Sequence, residues 1–152
     1  MQTSLNGDSK PIETIEKGDI VVSYDIQNKE FYLAKVKSVI VKPDVTDVAE
    51  VYFDNGEKLV MNAYHPIYTD EGFHSITKHD NYEELKVGDL ALTSEGWAIV
   101  TQINRYESQP QLMYNLDVID LDETKDYEEL DTFIANKIVV HNNTKCPELE
   151  ED

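Results

Sequence analysis

Cysteine is almost absent from this sequence, and long apolar runs are missing altogether. The single cysteine, Cys146, cannot form a disulfide within the chain, so nothing requires an oxidising compartment and we expect a cytoplasmic location. No apolar run approaches the roughly 18 residues that span a bilayer, and no charged and then apolar leader opens the chain. We therefore expect no membrane partner.

Basic residues are also scarce. The chain has 13 Lys and Arg against 31 Asp and Glu, which gives a formal net charge of −18. The electrostatic field of such a negative chain repels phosphate backbones, so nucleic acid is not an expected partner. The excess of acidic residues is interpreted as a source of solubility.

Sustained helical periodicity is missing as well, and short β-rich runs take its place. Turn residues separate these runs, and 152 residues correspond to about one ordinary domain. Asn55-Gly56 predicts a hairpin with a type I′ turn, because both residues tolerate a positive φ. We expect an all-β barrel or sandwich. In the first part of the chain, the predicted strands cover residues 20–24, 31–41, 50–53 and 58–61.

An internal repeat organises the chain. Residues 12–23 resemble residues 82–93 at a constant offset, and both copies carry Gly-Asp directly before a predicted strand. A turn that feeds a buried strand has this pattern. Two copies are too few for a solenoid, so the repeat predicts a pseudo-twofold domain made by duplication.

The apolar residues 138–140 end abruptly in His141-Asn142. Asparagine can attack its own backbone carbonyl through its side-chain amide, which closes a succinimide ring and cuts the chain. A neighbouring histidine can polarise that carbonyl and protonate the departing amine. An Asn held at a strand end is also positioned for the attack. An ordinary strand end with a hydrated histidine is the alternative.

A second histidine, His65, lies three residues after Asn62 and directly before a proline. Proline biases His65 to an extended backbone. On a turning strand, the two side chains can be presented to one peptide bond, where one binds its oxygen and the other its nitrogen. A purely structural histidine at a bend is the alternative.

The sequence pattern does not indicate a metal site or the active site of a nucleophilic hydrolase. The four histidines share no tight ligand spacing, and the acidic residues form no ligand series, so neither a metal nor another cofactor is expected. Cys146 lies in a polar tail without an evident oxyanion loop. The histidines are His65, His74, His79 and His141.

Four segments, in order and spacing, resemble the sequence blocks of the Hint (hedgehog/intein) superfamily, which includes inteins and bacterial intein-like domains. The resemblance implies an all-β, pseudo-twofold, barrel-like domain with little or no helix over residues 1–142. The polar and acidic composition of residues 143–152 predicts a flexible segment outside this domain. The four segments are residues 10–25, 62–66, 114–118 and 139–142.

The resemblance implies autoprocessing, with Asn142, His141, His65 and Asn62 as catalytic residues. Asp131 stands where the superfamily often has a histidine, and it would either orient His141 or simply face water. The Cys or Ser that begins such domains has no counterpart within the sequence, and Asn143 follows Asn142 where splicing needs Cys, Ser or Thr. Cleavage at the Asn142–Asn143 junction is therefore expected rather than ligation.

The expected partners are the flanking host segments (exteins) in cis. Two alternatives share the same fold. In the first, the domain is an inactive Hint remnant. In the second, it is a partial split-intein fragment that acts as a folded interaction module and pairs with a complementary N-terminal strand.

Overall fold

The computed structural model of the chain describes residues 1–77, 82–121 and 132–141. Over these ranges the chain forms ten β-strands and one short 3₁₀ helix, Ile12–Thr14, and it contains no α-helix. The strands are β1 (Ile20–Asp25), β2 (Glu30–Phe53), β3 (Lys58–Asn62), β4 (Ile67–Thr69), β5 (Gly72–Ser75), β6 (Glu83–Glu84), β7 (Leu90–Thr93), β8 (Gly96–Asp120), β9 (Thr132–Ala135) and β10 (Ile138–His141). The predicted all-β class with little helix is confirmed.

One sheet connects all ten strands. Its order is β1-β2-β8-β7-β10-β4-β5-β6, with β3 added beside β2 and β9 beside β10. The β5–β6 pair is parallel and the other pairs are antiparallel. The long strands β2 and β8 pair along most of their length, and β10 lies between β7 and β4.

The internal repeat is visible in the backbone hydrogen bonds. The N–H of Gly18 donates to the carbonyl of Val36 at 2.8 Å, and the N–H of Gly88 donates to the carbonyl of Val100 at the same distance. Both glycines have a positive φ, 92° and 100°, which L side chains rarely adopt. The two copies therefore fold alike, as the pseudo-twofold prediction requires.

Two local predictions were wrong. Residues 31–41 and 50–53 are parts of the single strand β2, which passes Pro43-Asp44 through register shifts against β8. The hairpin at Asn55-Gly56 is present, but only Gly56 has a positive φ, 88°. Because Gly56 N–H also donates to the carbonyl of Phe53, the turn is a three-residue reversal that ends in a left-handed glycine.

Strand β10 is buried on both faces. Ile138 and Val140 pack in the main core, whereas Val139 packs in a second apolar cluster with Val22 and Leu92. A strand covered on both sides has a continuous apolar sequence rather than an alternating one. This double burial explains the apolar run at 138–140 and brings the end of β10 into the interior. In the described ranges, no helix is both long and apolar enough to cross a membrane.

Candidate active site

The end of β10 is fixed by neighbouring strands. A two-residue turn at Asn136-Lys137, with φ of 48° and 71°, joins β9 to β10 and sets His141 opposite Thr132. The backbone N–H of His141 donates to the carbonyl of Pro66 at 3.0 Å. His141 is 3% exposed, so the last described residue before Asn142 is held inside the protein.

The connection from β3 to β4 is shaped by Asn62. Its Oδ1 accepts the backbone N–H of Tyr64 at 2.9 Å, and its backbone carbonyl accepts the N–H of His65 at 3.2 Å. An asparagine side chain that bonds the backbone two residues ahead stabilises a tight turn. This turn directs the side chain of His65 toward β10.

The two histidines meet through one hydrogen bond. The Nε2 atom of His65 lies 2.8 Å from the backbone carbonyl oxygen of His141. A carbonyl oxygen only accepts, so Nε2 carries the proton and donates it. That carbonyl belongs to the peptide bond between His141 and Asn142. The hydrogen bond therefore connects His65 to the peptide group directly before Asn142.

His65 is neutral at physiological pH. The pKa of His65 is lowered from 6.5 to about 4, chiefly by burial and also by the proximity of His141, while the hydrogen bond to the His141 carbonyl opposes both effects. The neutral ring with hydrogen on Nε2 is thus the form that holds the carbonyl.

Two aromatic side chains contact the imidazole of His141. The hydroxyl of Tyr82 lies 3.3 Å from its Nε2 atom, and the ring centroids are 5.8 Å apart. The ring of Phe73, on β5, contacts it edge to face with a centroid separation of 4.7 Å. The imidazole of His141 therefore contacts one polar group, the Tyr82 hydroxyl, and one apolar ring, that of Phe73.

Hydroxyl groups anchor β9 beside the site. Ser23 donates to the backbone carbonyl of Thr132 at 2.8 Å, and the hydroxyl of Thr132 accepts the N–H of Tyr24 at 2.7 Å. The same hydroxyl lies 3.1 Å from the carbonyl of Tyr24 and donates to it. All of these contacts are buried, so they fix β9 and its partner strand β10 against β1.

A cavity of about 320 Å³ opens beside His65. Asn62, Phe133 and Val140 line it together with Met1 and His65. Its wall therefore includes the Asn62 turn and the inner face of β10. No group of three or more His, Cys, Asp or Glu side chains in the described part of the chain is placed to hold a metal ion.

The structure brings three of the predicted site residues to one region. His65 and His141 are in contact, and Asn62 shapes the turn that presents His65. The catalytic role that the sequence assigns to each of them stays a prediction. Three other predicted site residues lie outside the described residues, namely Asn142, Asn143 and Asp131.

The sequence interpretation missed Tyr82, Phe73 and Thr132. One signal pointed to Tyr82, because the first copy of the repeat has the aliphatic Ile12 at the matching position. No comparable signal marks Phe73, which reaches His141 only through the pairing of β4 with β10. Thr132 follows Asp131 directly, but nothing in the sequence distinguishes the neighbours of that residue.

Solved structures with the same architecture are inteins and a bacterial intein-like domain. The bacterial intein-like domain from Clostridium thermocellum is 27% identical with a TM-score of 0.70, and the match covers 86% of each chain. The M86 variant of the Ssp DnaB mini-intein is 21% identical with a TM-score of 0.71, covering 93% of this chain and 88% of that one. A DnaB intein from Synechocystis sp. PCC 6803 is 19% identical with a TM-score of 0.66, covering 90% and 89%. The last two show a shared fold.

Sequence comparison agrees with this architecture. No curated protein matches the chain. The family description "Pretoxin HINT domain" matches residues 3–143, which is nearly the whole chain. The resemblance to the Hint superfamily is thereby confirmed, and the chain belongs to the pretoxin HINT domain family.

Proposed function

We propose that this Hint domain cuts its own backbone between Asn142 and Asn143. The side-chain amide nitrogen of Asn142 attacks the carbonyl carbon of the same residue, and the bond to the nitrogen of Asn143 breaks. The upstream product ends in a succinimide, and the proton lost from the amide is transferred to the departing amine. Residues 143–152 are the segment released.

The observation that carries the proposal is the hydrogen bond from His65 Nε2 to the carbonyl oxygen of His141 at 2.8 Å. It immobilises the peptide that leads into Asn142, and restricting that residue makes an otherwise slow intramolecular attack more frequent. The buried imidazole of His141 is adjacent in sequence to the attacking residue and serves as the general acid. Asp131 is the proposed orienting partner of His141.

The family and structural similarities support the same reaction class. The matching family is named for pretoxins, and a similar solved structure is called a bacterial intein-like domain. We propose that the flanking segments of a pretoxin host are the substrate in cis, and that cleavage takes place in the cytoplasm. Nucleic acid and membranes are not proposed as partners, given the net charge of −18.

The test is the intact mass of the purified chain during incubation with reductant. The proposal predicts loss of residues 143–152 and an upstream product one water lighter than the product of simple hydrolysis, as a succinimide requires. Asn142→Ala should abolish the reaction. Asn143→Ala is the matched control, because it removes the neighbouring asparagine and keeps the attacking amide, so it should still be cleaved.

An unchanged mass over days contradicts the proposal and supports an inactive remnant. Cleavage that begins only after a complementary N-terminal peptide is added supports the split-domain alternative.

A further inference from the structure

The imidazole of His141 lies against Tyr82 on one strand connection and against Phe73 on β5. Tyr82 directly precedes β6, which pairs with β5, so both aromatic residues belong to the same corner of the sheet. The Tyr82 hydroxyl is 3.3 Å from Nε2 of His141. Phe73 also contacts the Tyr82 ring, with a centroid separation of 6.3 Å. The imidazole of His141, which precedes Asn142, therefore packs against two aromatic rings that also contact each other.

A phenolic hydroxyl suits a histidine that changes protonation state. It donates to the unprotonated Nε2 of a neutral imidazole and, after rotation, accepts from the N–H of an imidazolium. Both forms of His141 thus keep a partner in a site where it is 3% exposed and a lost hydrogen bond is costly. A purely apolar neighbour could neither orient the imidazole of His141 through a hydrogen bond nor stay hydrogen-bonded to it when it gains or loses a proton.

The internal repeat shows what packing alone requires at the position of Tyr82. In the first copy, the position that matches Tyr82 is Ile12, which packs against the main core as a partly buried aliphatic residue. Packing at this position is therefore satisfied without a hydroxyl. The second copy differs from the first in that its residue contacts the terminal histidine.

We propose that Tyr82 is a positioning residue for His141 in the cleavage reaction, an inference that rests on the proposed function. Tyr82 fixes the orientation of the imidazole through its hydroxyl, and Phe73 supports the ring. Neither residue touches the reacting atoms of Asn142 in this proposal.

The test compares Tyr82→Phe with Tyr68→Phe. Each substitution removes one phenolic hydroxyl and keeps the ring, and both tyrosines contact Phe73, with Tyr68 at 5.3 Å between centroids. The cleavage rate of each full-length chain is followed by intact mass. In the Asn142→Ala background, which stays whole, the ¹⁵N resonance of His141 Nε2 is recorded for the same two substitutions, and the amide spectrum checks folding.

We expect Tyr82→Phe to slow cleavage about tenfold, as the loss of one well-placed hydrogen bond predicts, and to shift the Nε2 resonance of His141. Tyr68→Phe should change neither. A Tyr82→Phe chain that cleaves at the unaltered rate, or that slows without moving the Nε2 resonance, overturns the inference and leaves the proposed function standing. An unsubstituted chain that never cleaves overturns both.

Discussion

The Nε2 atom of His65 donates a hydrogen bond to the backbone carbonyl of His141 across 76 positions of sequence. The contact depends on two local structures, the Asn62 turn that presents His65 and the doubly buried strand that ends in His141. Neither structure alone brings the two residues together. The pairing of β10 with β4 does so, because it places the strand end beside the turn.

The first prediction concerns His65. His65→Ala removes the donor to the His141 carbonyl and frees the peptide that precedes Asn142, so cleavage should slow by about 10- to 100-fold. His65→Gln keeps an N–H donor of similar reach and should retain more of the rate. The measurement is the time course of product formation by intact mass.

His74→Gln is the matched control for that series. His74 is also buried, but its Nδ1 atom pairs with Asp89 at 3.2 Å, away from the carbonyl of His141. Its substitution should leave the cleavage rate close to that of the unsubstituted chain. Equal rates for His65→Ala and the unsubstituted chain would contradict the assigned role of His65.

The second prediction concerns stability and pH. The pKa of His65 falls from 6.5 to about 4 on folding, so between these values the unfolded chain binds a proton that the folded chain does not. Stability contributed by neutral His65 is therefore complete above 6.5 and is lost as the pH falls toward 4. The shift corresponds to roughly 3 kcal/mol at most.

Urea unfolding of the Asn142→Ala chain at about pH 7 and about pH 4.5 measures this change. The same measurement on Asn142→Ala with His65→Gln isolates the histidine, because carboxylate contributions are common to both chains. The chain without His65 should lose less stability on acidification. An equal loss in the two chains would mean that His65 does not carry the effect.

The all-β class and the duplication could be predicted because each depends on the residue pattern within short segments of the chain. Gly18 and Gly88 stand at matching positions and adopt matching left-handed backbones. The type I′ turn was assigned to Asn55-Gly56, but it occurs at Asn136-Lys137. Lysine is an uncommon residue at a positive φ. The positive φ of Lys137 is imposed by the two-residue connection between the paired strands β9 and β10.

The environment of His141 could not be predicted in the same way. Tyr82 and Phe73 reach it through contacts between strands that are distant in sequence, and such contacts leave no periodic signal. The His141-Asn142 pair itself was recognisable because its chemistry lies in adjacent residues. The role of this pair stays a prediction, and the side chains that surround His141 could not be predicted from the sequence at all.

The third prediction concerns Thr132. Thr132→Val keeps the volume of the side chain but leaves the buried N–H of Tyr24 without the acceptor it has at 2.7 Å. Stability in the Asn142→Ala background should fall by about 1–3 kcal/mol, measured from the urea midpoint at unchanged slope. Thr132→Ser keeps the hydroxyl and should cost less than the valine variant, at most about 0.8 kcal/mol, through the lost methyl group. A valine variant at least as stable as the serine variant would contradict this account.

The fourth prediction concerns the β9–β10 turn. Lys137 has a φ of 71°, which glycine adopts without strain, so Lys137→Gly should stabilise the folded Asn142→Ala chain by about 1 kcal/mol relative to Lys137→Ala. Lys137 also pairs with Glu95 at 3.0 Å and Glu57 at 3.7 Å, and both substitutions remove these ion pairs.

The comparison of glycine with alanine therefore isolates the backbone of the turn from the lost charges. Urea unfolding of the two variants measures the difference. The difference in stability between the Lys137 chain and the alanine variant, measured at low and at high salt, measures the ion pairs, which salt screens. Because β9 and β10 carry Thr132 and His141 at the far end of the hairpin, a more stable turn should leave the cleavage rate unchanged. If alanine is as stable as glycine, the left-handed backbone at Lys137 stores no strain.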